Sequence, residues 1–213
     1  AFKGSYSDYV SDVNTDGTID SRVKANPAYG VSIASYTGTG ANATIGHSLG
    51  VQPSMVIVKR RDAVENFTVY HASTGSSQYA YLDLTQAFST ATSVWQGVDP
   101  TSSVFSIGTS STTNASGGTY IAYCFAEVAG YSSIGSYSGT GADHSSEQTL
   151  GFRPAFVLVR DSTAGGDPWV IFDNTRDTDG TLNNLLFPNS SDAEVSSSAT
   201  KLEISDTGFT VKG

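Results

Sequence analysis

A single cysteine, Cys124, leaves this 213-residue chain with no internal disulfide to hold it together. It sits in Tyr120-Ile-Ala-Tyr-Cys-Phe-Ala-Glu127, where both alternating faces are apolar, so it reads as a buried structural thiol rather than a nucleophile. Positive charge is scarce: 11 Lys and Arg face 20 Asp and Glu, for a formal net charge of −9. Phosphate binding needs clustered cations, so a nucleic-acid partner is excluded. The one basic cluster, Lys59-Arg60-Arg61, is followed at once by Asp62 and reads as a solvated strand end. No apolar run approaches the roughly 20 residues of a membrane-spanning helix, so membrane insertion is not expected. No signal peptide is visible, and the chain begins at Ala1 rather than Met, as a processed or trimmed product would.

Amphipathic helix is also scarce. What is present instead is 22 Gly, 11 Tyr and 10 Phe among many Ser, Thr and Val, the composition of turns and strands. The pattern is organised by a repeat. SIASYTGTGANATIGHSLGVQPSMVIVK over 32–59 recurs as SIGSYSGTGADHSSEQTLGFRPAFVLVR over 133–160, offset by 101 residues without a gap. Thirteen of the 28 positions are identical, including Tyr36/Tyr137, Gly38/Gly139, Leu49/Leu150 and Pro53/Pro154, so the architecture is expected to be duplicated. Each copy runs a short strand into Gly-Thr-Gly, crosses a polar variable stretch read as a solvent-facing loop or edge strand, and restarts after Leu-Gly-x-x-Pro in a β-branched strand. Weaker matches follow: Phe67–His71 with Trp169–Asp173, Leu82–Leu84 with Leu185–Phe187, and Val104–Gly108 with Gly208–Lys212.

The expected fold is therefore all-β: two tandem duplicated β-sandwich units, jelly-roll-like, packed together. Residues 30–130 form the first repeat and 131–213 the second, with almost no linker at Gly130. The Tyr120–Val128 strand, the most apolar in the chain, is expected to be central in the first repeat. The second ends before any counterpart of it. Residues 1–29, with Tyr6, Tyr9 and Val10 as strand candidates, are expected to fill that place in the second unit or in a neighbouring subunit.

Few residues suggest chemistry. Asp12, Asn14, Asp16 and Asp20, with Gly17 between them, resemble a calcium loop, but the bidentate position is Val23. The competing reading is a hairpin turned by Asp16-Gly17. His47, His71 and His144 share no metal or catalytic spacing, and no GxSxG or GK[ST] motif occurs. The carboxylate pairs Asp161/Asp167 and Asp173/Asp177 lie in turn contexts. Tyr79, Tyr81 and Trp95 are the candidate ligand-binding residues, able to stack on sugar rings, though core packing is the commoner role for any one of them. The variable loops 40–48 and 142–149 are candidate contact surfaces. No cofactor and no enzymatic activity are expected.

Taken together, 30–50, Pro53, Val56–Lys59, Pro100–Gly108, Tyr120–Tyr131, Gly151–Ala155, Trp169–Asp173 and Leu186–Asn189 resemble a repeat domain of virion structural proteins, especially tail fibres, of marine bacteriophages. The resemblance covers nearly the whole chain beyond about residue 20. It implies a virion-surface, extracellular structural role, most simply a tail or tail-fibre component mediating host attachment. It implies partners among other virion proteins and copies of itself, with a host surface glycan as candidate ligand, and it carries no catalytic residues. A capsid decoration protein, a filament subunit without ligand and a secreted carbohydrate-binding module are the alternatives.

Overall fold

The computed structural model describes residues 12–139, 147–199 and 201–212. Strands dominate, and the chain divides into two compact units: Ala1–Ala80 with Ser89–Glu127, and Tyr81–Phe88 with Val128–Gly213. The change of unit at Glu127/Val128 lies three residues from the division expected at 130/131, while no unit boundary falls at 29/30. The N-terminal strands belong to the first, and residues 81–88 leave the first repeat for the second unit.

Among the described residues the first unit holds ten strands: β1 (Asp12–Asn14), β2 (Ser21–Asn26), β3 (Val31–Thr37), β4 (Ala43–Gly46), β5 (Met55–Arg60), β6 (Thr68–His71), β7 (Gln78–Tyr81), β8 (Ser89–Thr90), β9 (Val104–Ile107) and β10 (Thr119–Phe125). Eight form one sheet in the order β1-β2-β3-β10-β5-β6-β7-β8, while β4 and β9 form a separate antiparallel pair. This is sandwich-like, but it is not the two balanced sheets of a jelly roll. The short helices α1 (Thr92–Trp95) and α2 (Ser111–Asn114) flank β9.

Alternation along the central strands builds the core. On β10 the side chains of Tyr120, Ala122 and Cys124 are fully buried while Ile121, Tyr123 and Phe125 are half-buried. Across the ladder Tyr120 opposes Tyr36, and Cys124 opposes Val56. The inward residues join Val23, Ala34, Val58 and Tyr70 in one apolar cluster, closed by Ile45, Phe105 and Ile107 from the β4–β9 pair and by Trp95 from α1. Burying each large side chain contributes about 1.5–3 kcal/mol, which is why the most apolar strand takes the middle of the sheet. Tyr36 and Tyr120 stack with centroids 5.2 Å apart.

The hairpin reading of the N-terminus holds, with β1 antiparallel to β2 and Asp12 opposite Val23. The expectation that 1–29 completes the second unit or a neighbour is corrected for the described part: β2 pairs with β3 from Arg22↔Ser35 to Asn26↔Val31. Tyr6, Tyr9 and Val10 lie outside the described residues. The polar stretch after the first Gly-Thr-Gly, read as a solvent-facing loop or edge strand, is an edge strand but does not face solvent. It contains β4, whose Ala43, Ile45 and Gly46 are buried because β9 and the core cover them.

The second unit comprises β11 (Gln148–Thr149), β12 (Phe156–Val159), β13 (Val170–Asp173), β14 (Thr181–Leu182), β15 (Asn184–Leu185), β16 (Val195–Ser196), β17 (Leu202–Ile204) and β18 (Gly208–Val211). One sheet runs β11-β18-β17-β14, and β12-β13 and β15-β16 are separate pairs. Its smaller core gathers Val157, Phe172, Leu182, Leu202, Ile204 and Phe209. Arg176 ties the loops, with Nε 2.7 Å from Asp173 and Nη1 2.6 Å from Glu194.

A groove on the first sheet as candidate functional site

The aromatic trio singled out as ligand-binding does not assemble. Trp95 is 2% exposed in the core, edge-on to Tyr70 at 6.2 Å, and cannot meet a sugar. A helical turn buries it, not the half-wet surface its polar neighbours suggested. Tyr79, half-buried, packs against the same cluster. Tyr81 is half-buried in the other unit, where its carbonyl accepts the Trp169 indole N–H at 2.8 Å.

The calcium-like loop is spent on its own turn. The Asn14 carboxamide accepts the Asp16 N–H at 2.9 Å and donates to Asp16 and to Ser48 Oγ. Asp12 sits in the β1 ladder. Among the described residues no three His, Cys, Asp or Glu side chains are placed to hold a metal ion. The histidines also have structural roles. Leu49 N–H donates to His47 Nδ1 at 3.2 Å, which leaves the proton on Nε2 facing the Thr101 carbonyl at 3.2 Å. Burial holds His47 below the ordinary imidazole range. His71 Nδ1 accepts the Ser73 N–H, and His144 lies outside the described residues. Burial pushes the Cys124 thiol well up, which suits an inert core thiol. The paired carboxylates serve turns: Asp161 accepts Thr163 and Ala164 N–H groups, and Asp177 accepts those of Asn183 and Asn184.

Of the candidate contact loops, 40–48 exposes Gly40–Asn42 and Ser48 but buries Ala43, Ile45, Gly46 and His47. The loop 142–149 lies largely outside the described residues.

The surface that does offer a binding geometry is a groove of about 660 Å³ in the first unit. It is built where β1, β2, β3 and β10 lie side by side. Arg22 on β2 opposes Ser35 on β3, and two residues along β3 Thr37 opposes Thr119 on β10. Arg61 is brought to the same place because its N–H bonds to the Thr119 carbonyl at 2.8 Å. Thr18 and Asp20, from the turn after β1, close the other end. Tyr36 and Tyr120 lie beneath, their hydroxyls committed to the Thr113 and Ser111 carbonyls at 2.7 Å each, so they shape the groove and offer it no donor.

Charge in this groove is distinctive for so acidic a chain. In the basic cluster, Lys59 Nζ bonds to the Glu65 carbonyl and lies 5.2 Å from the Phe67 ring, and Arg60 pairs with Asp62 at 3.0 Å. That partner holds the Asp62 carboxyl below its usual range. Arg61 and Arg22 are exposed and, among the described residues, have no ionic partner. Two free guanidinium forks above a row of hydroxyls suit a ligand carrying carboxylate or sulfate on a polyhydroxyl frame. Arg22, Ser35, Thr37 and Thr119 were not singled out from the sequence, and Arg61 was read there only as part of a solvated strand end. Arg22 and Thr119 are 97 positions apart, and only the strand order β2-β3-β10 brings them together.

Against known families, the chain matches the model of a domain of unknown function, DUF7483, over residues 7–213. It belongs to that family. No curated protein and no solved structure matches it. No helix among the described residues is long and apolar enough to cross a membrane.

Proposed function

We propose that this DUF7483 domain is a non-catalytic display module on a virion surface, a tail or tail-fibre component that contacts the host envelope through the groove of its first unit. The observation that carries the reading is the pair of unpartnered arginines, Arg22 and Arg61, over Ser35, Thr37 and Thr119. The ligand class is an anionic surface glycan. A single such contact is weak, and several copies held together make it effective. The resemblance to phage appendage repeats supports the location, and the strand-built scaffold is compatible with it.

The two units are also inferred to be copies of one ancestral fold. Val56↔Tyr70 and Ile57↔Val69 in the β5–β6 pair correspond to Val157↔Phe172 and Leu158↔Ile171 in β12–β13, at the sequence offsets of 101 and 102. Agreement in both order and register supports duplication beyond sequence identity.

The test is a glycan array probed with the full chain, followed by titration of the best ligand against the Arg22→Ala/Arg61→Ala variant. Binding to uronic-acid or sulfated glycans is expected, at least tenfold weaker in the variant and weaker with added salt. Binding restricted to neutral glycans, or unchanged in the variant, refutes the groove. Release of reducing sugar refutes the non-catalytic reading in favour of a secreted hydrolytic module. Immunogold labelling absent from phage particles refutes the location.

A further inference from the structure

Among the described residues, the second unit leaves open the strand edge that the first fills with its central strand. In the first unit β5 is flanked by β6 on one side and β10 on the other, and β10 in turn holds β3. Among the described residues of the second unit β12 pairs with β13 alone. Residues 133–137, SIGSY, match 32–36, SIASY, of β3, yet lie in no strand. The difference is physical: the residues that hold β3 belong to a strand this unit does not supply.

The free edge is specific. Asn174 N–H bonds to the Ala155 carbonyl, so the hydrogen-bonded partners along this hairpin are 155/174, 157/172 and 159/170. The amides and carbonyls of Phe156 and Leu158 therefore aim away from β13, and among the described residues no backbone group takes them. Phe156 is 58% exposed, whereas its counterpart Met55 is 9% exposed. Beside this edge lies an apolar cavity of about 170 Å³ lined by Tyr137, Val159, Phe172, Leu202 and Val211. Val159 and Phe172 correspond to Val58 and Tyr70, against which the inward side chains of β10 pack in the first unit. A dry cavity of roughly 150 Å³ takes a benzene-sized group, so this one accommodates one aromatic side chain.

We infer that this edge accepts a β-strand in trans, supplied by residues 1–11 of a second copy of the chain. The seven residues of β10 span roughly 23 Å at 3.3 Å per residue. Residues 1–11 lie outside the described structure and are long enough to match it. At strand spacing their sequence puts Phe2, Gly4 and Tyr6 on one face and Lys3, Ser5 and Ser7 on the other. An aromatic from Phe2 or Tyr6 then enters the cavity while main-chain bonds extend β12. Each copy offers one such strand and one such edge, so the contact either closes into a ring or propagates.

Sedimentation of the full chain across a concentration range tests this, with Phe2→Asp/Tyr6→Asp on the donor side and Leu158→Pro on the acceptor side. Leu158→Pro removes an outward-facing donor and leaves the β13 ladder bonds in place. Reversible self-association is expected, at least tenfold weaker in either variant. A fluorescent peptide of residues 1–11 is expected to bind the Phe2→Asp/Tyr6→Asp chain and not the Leu158→Pro chain. Circular dichroism unchanged between variants separates lost association from lost fold. A persistent monomer that ignores the peptide overturns the inference. So does association that survives both variants. A peptide of Thr119–Ala126 that binds where 1–11 does not overturns the second copy as donor and assigns the edge to another polypeptide.

Discussion

Asn114→Ala gives a direct measure of how the first Gly-Thr-Gly turn is held. The Asn114 side chain is fully buried in the first unit. Its Nδ2 donates to the Ala41 carbonyl at 2.6 Å and to the Gly108 carbonyl at 2.7 Å, and its Oδ1 accepts the Thr39 N–H at 2.7 Å. It thus joins the turn after β3 to the end of β9 at one point. Thr39 and Ala41 are exposed and regain water when the amide is removed, whereas Gly108 is buried and its carbonyl does not. Two recoverable bonds at about 1 kcal/mol each and one stranded carbonyl at about 1–3 kcal/mol give a loss of roughly 3–5 kcal/mol. At about 2–4 °C per kcal/mol the melting temperature of the first unit falls by on the order of 10 °C. The two tryptophans make the assay specific, because Trp95 lies in the first unit and Trp169 in the second. Denaturant unfolding in a Trp169→Phe background reads Trp95 alone. Asn114→Asp keeps the acceptor for Thr39 but turns a carboxylate toward two carbonyls. Its folded-state pKa is therefore raised, and its stability, best at acid pH, is lost as pH rises through that value. A loss below about 1 kcal/mol for Asn114→Ala, or greater stability of Asn114→Asp at neutral than at acid pH, refutes the reasoning.

Two further outcomes follow from positions already described. A Cβ on Gly38 would lie 2.4 Å from the Ala115 carbonyl, while one on Gly139 would meet nothing within 4 Å. Gly38→Ala is expected to cost about 1–3 kcal/mol and Gly139→Ala to change stability by less than about 1 kcal/mol, as read by denaturant midpoints; equal effects refute the assignment. His47 and His71 are both held below the ordinary imidazole value by burial. Their unfolded forms bind protons first, so the stability they contribute is fully present above about pH 6.5 and declines as pH falls below it toward their lowered folded values. His47→Gln is expected to make that decline shallower in unfolding measurements from pH 7.5 to 5, and an unchanged slope refutes the buried neutral imidazole.

The all-β character was legible because it rests on local signals: Gly-Thr-Gly and Leu-Gly-x-x-Pro punctuation around β-branched runs such as Met55–Val58. The centrality of β10 was legible because a strand apolar on both faces belongs between two neighbours. Strand order was not, since β2-β3-β10 depends on pairings between residues nearly a hundred positions apart, and the groove depends wholly on that order. Trp95 was misjudged for a related reason. Its sequence neighbours Ser93, Gln96 and Gly97 are polar, and only the positive φ of 61° at Gln96 reveals the tight turn that tucks the indole inward. The stretch that holds β4 read as a solvent-facing loop or edge strand because Ala43-Thr-Ile-Gly is short and flanked by polar residues; it is an edge strand, and its burial comes from β9, some 60 residues later.

The two Gly-Thr-Gly segments carry the same sequence, yet Gly38 and Gly139 sit in different surroundings, which bears on what a repeat determines. Gly38 donates its N–H to the Gly118 carbonyl, and Gly40 donates to the Asn114 carbonyl. Gly139 has nothing within 4 Å of its Cβ position. Every partner of the first turn comes from the segment that leads from β9 into β10, the part of the first repeat with no sequence counterpart in the second. The β5–β6 and β12–β13 hairpins agree in register because each is closed within its own repeated segment. The stretches that diverge, 133–139 against β3 and its turn, are those whose partner lies outside the repeated segment. A recurring stretch of sequence thus takes the same structure where it closes by itself, and elsewhere follows its partner. If the second unit is given a strand of β10 chemistry, residues 133–137 are expected to take the extended, hydrogen-bonded state of β3, visible as slowed amide exchange at Gly135 and Tyr137, the counterparts of the β3 residues whose amides face β10.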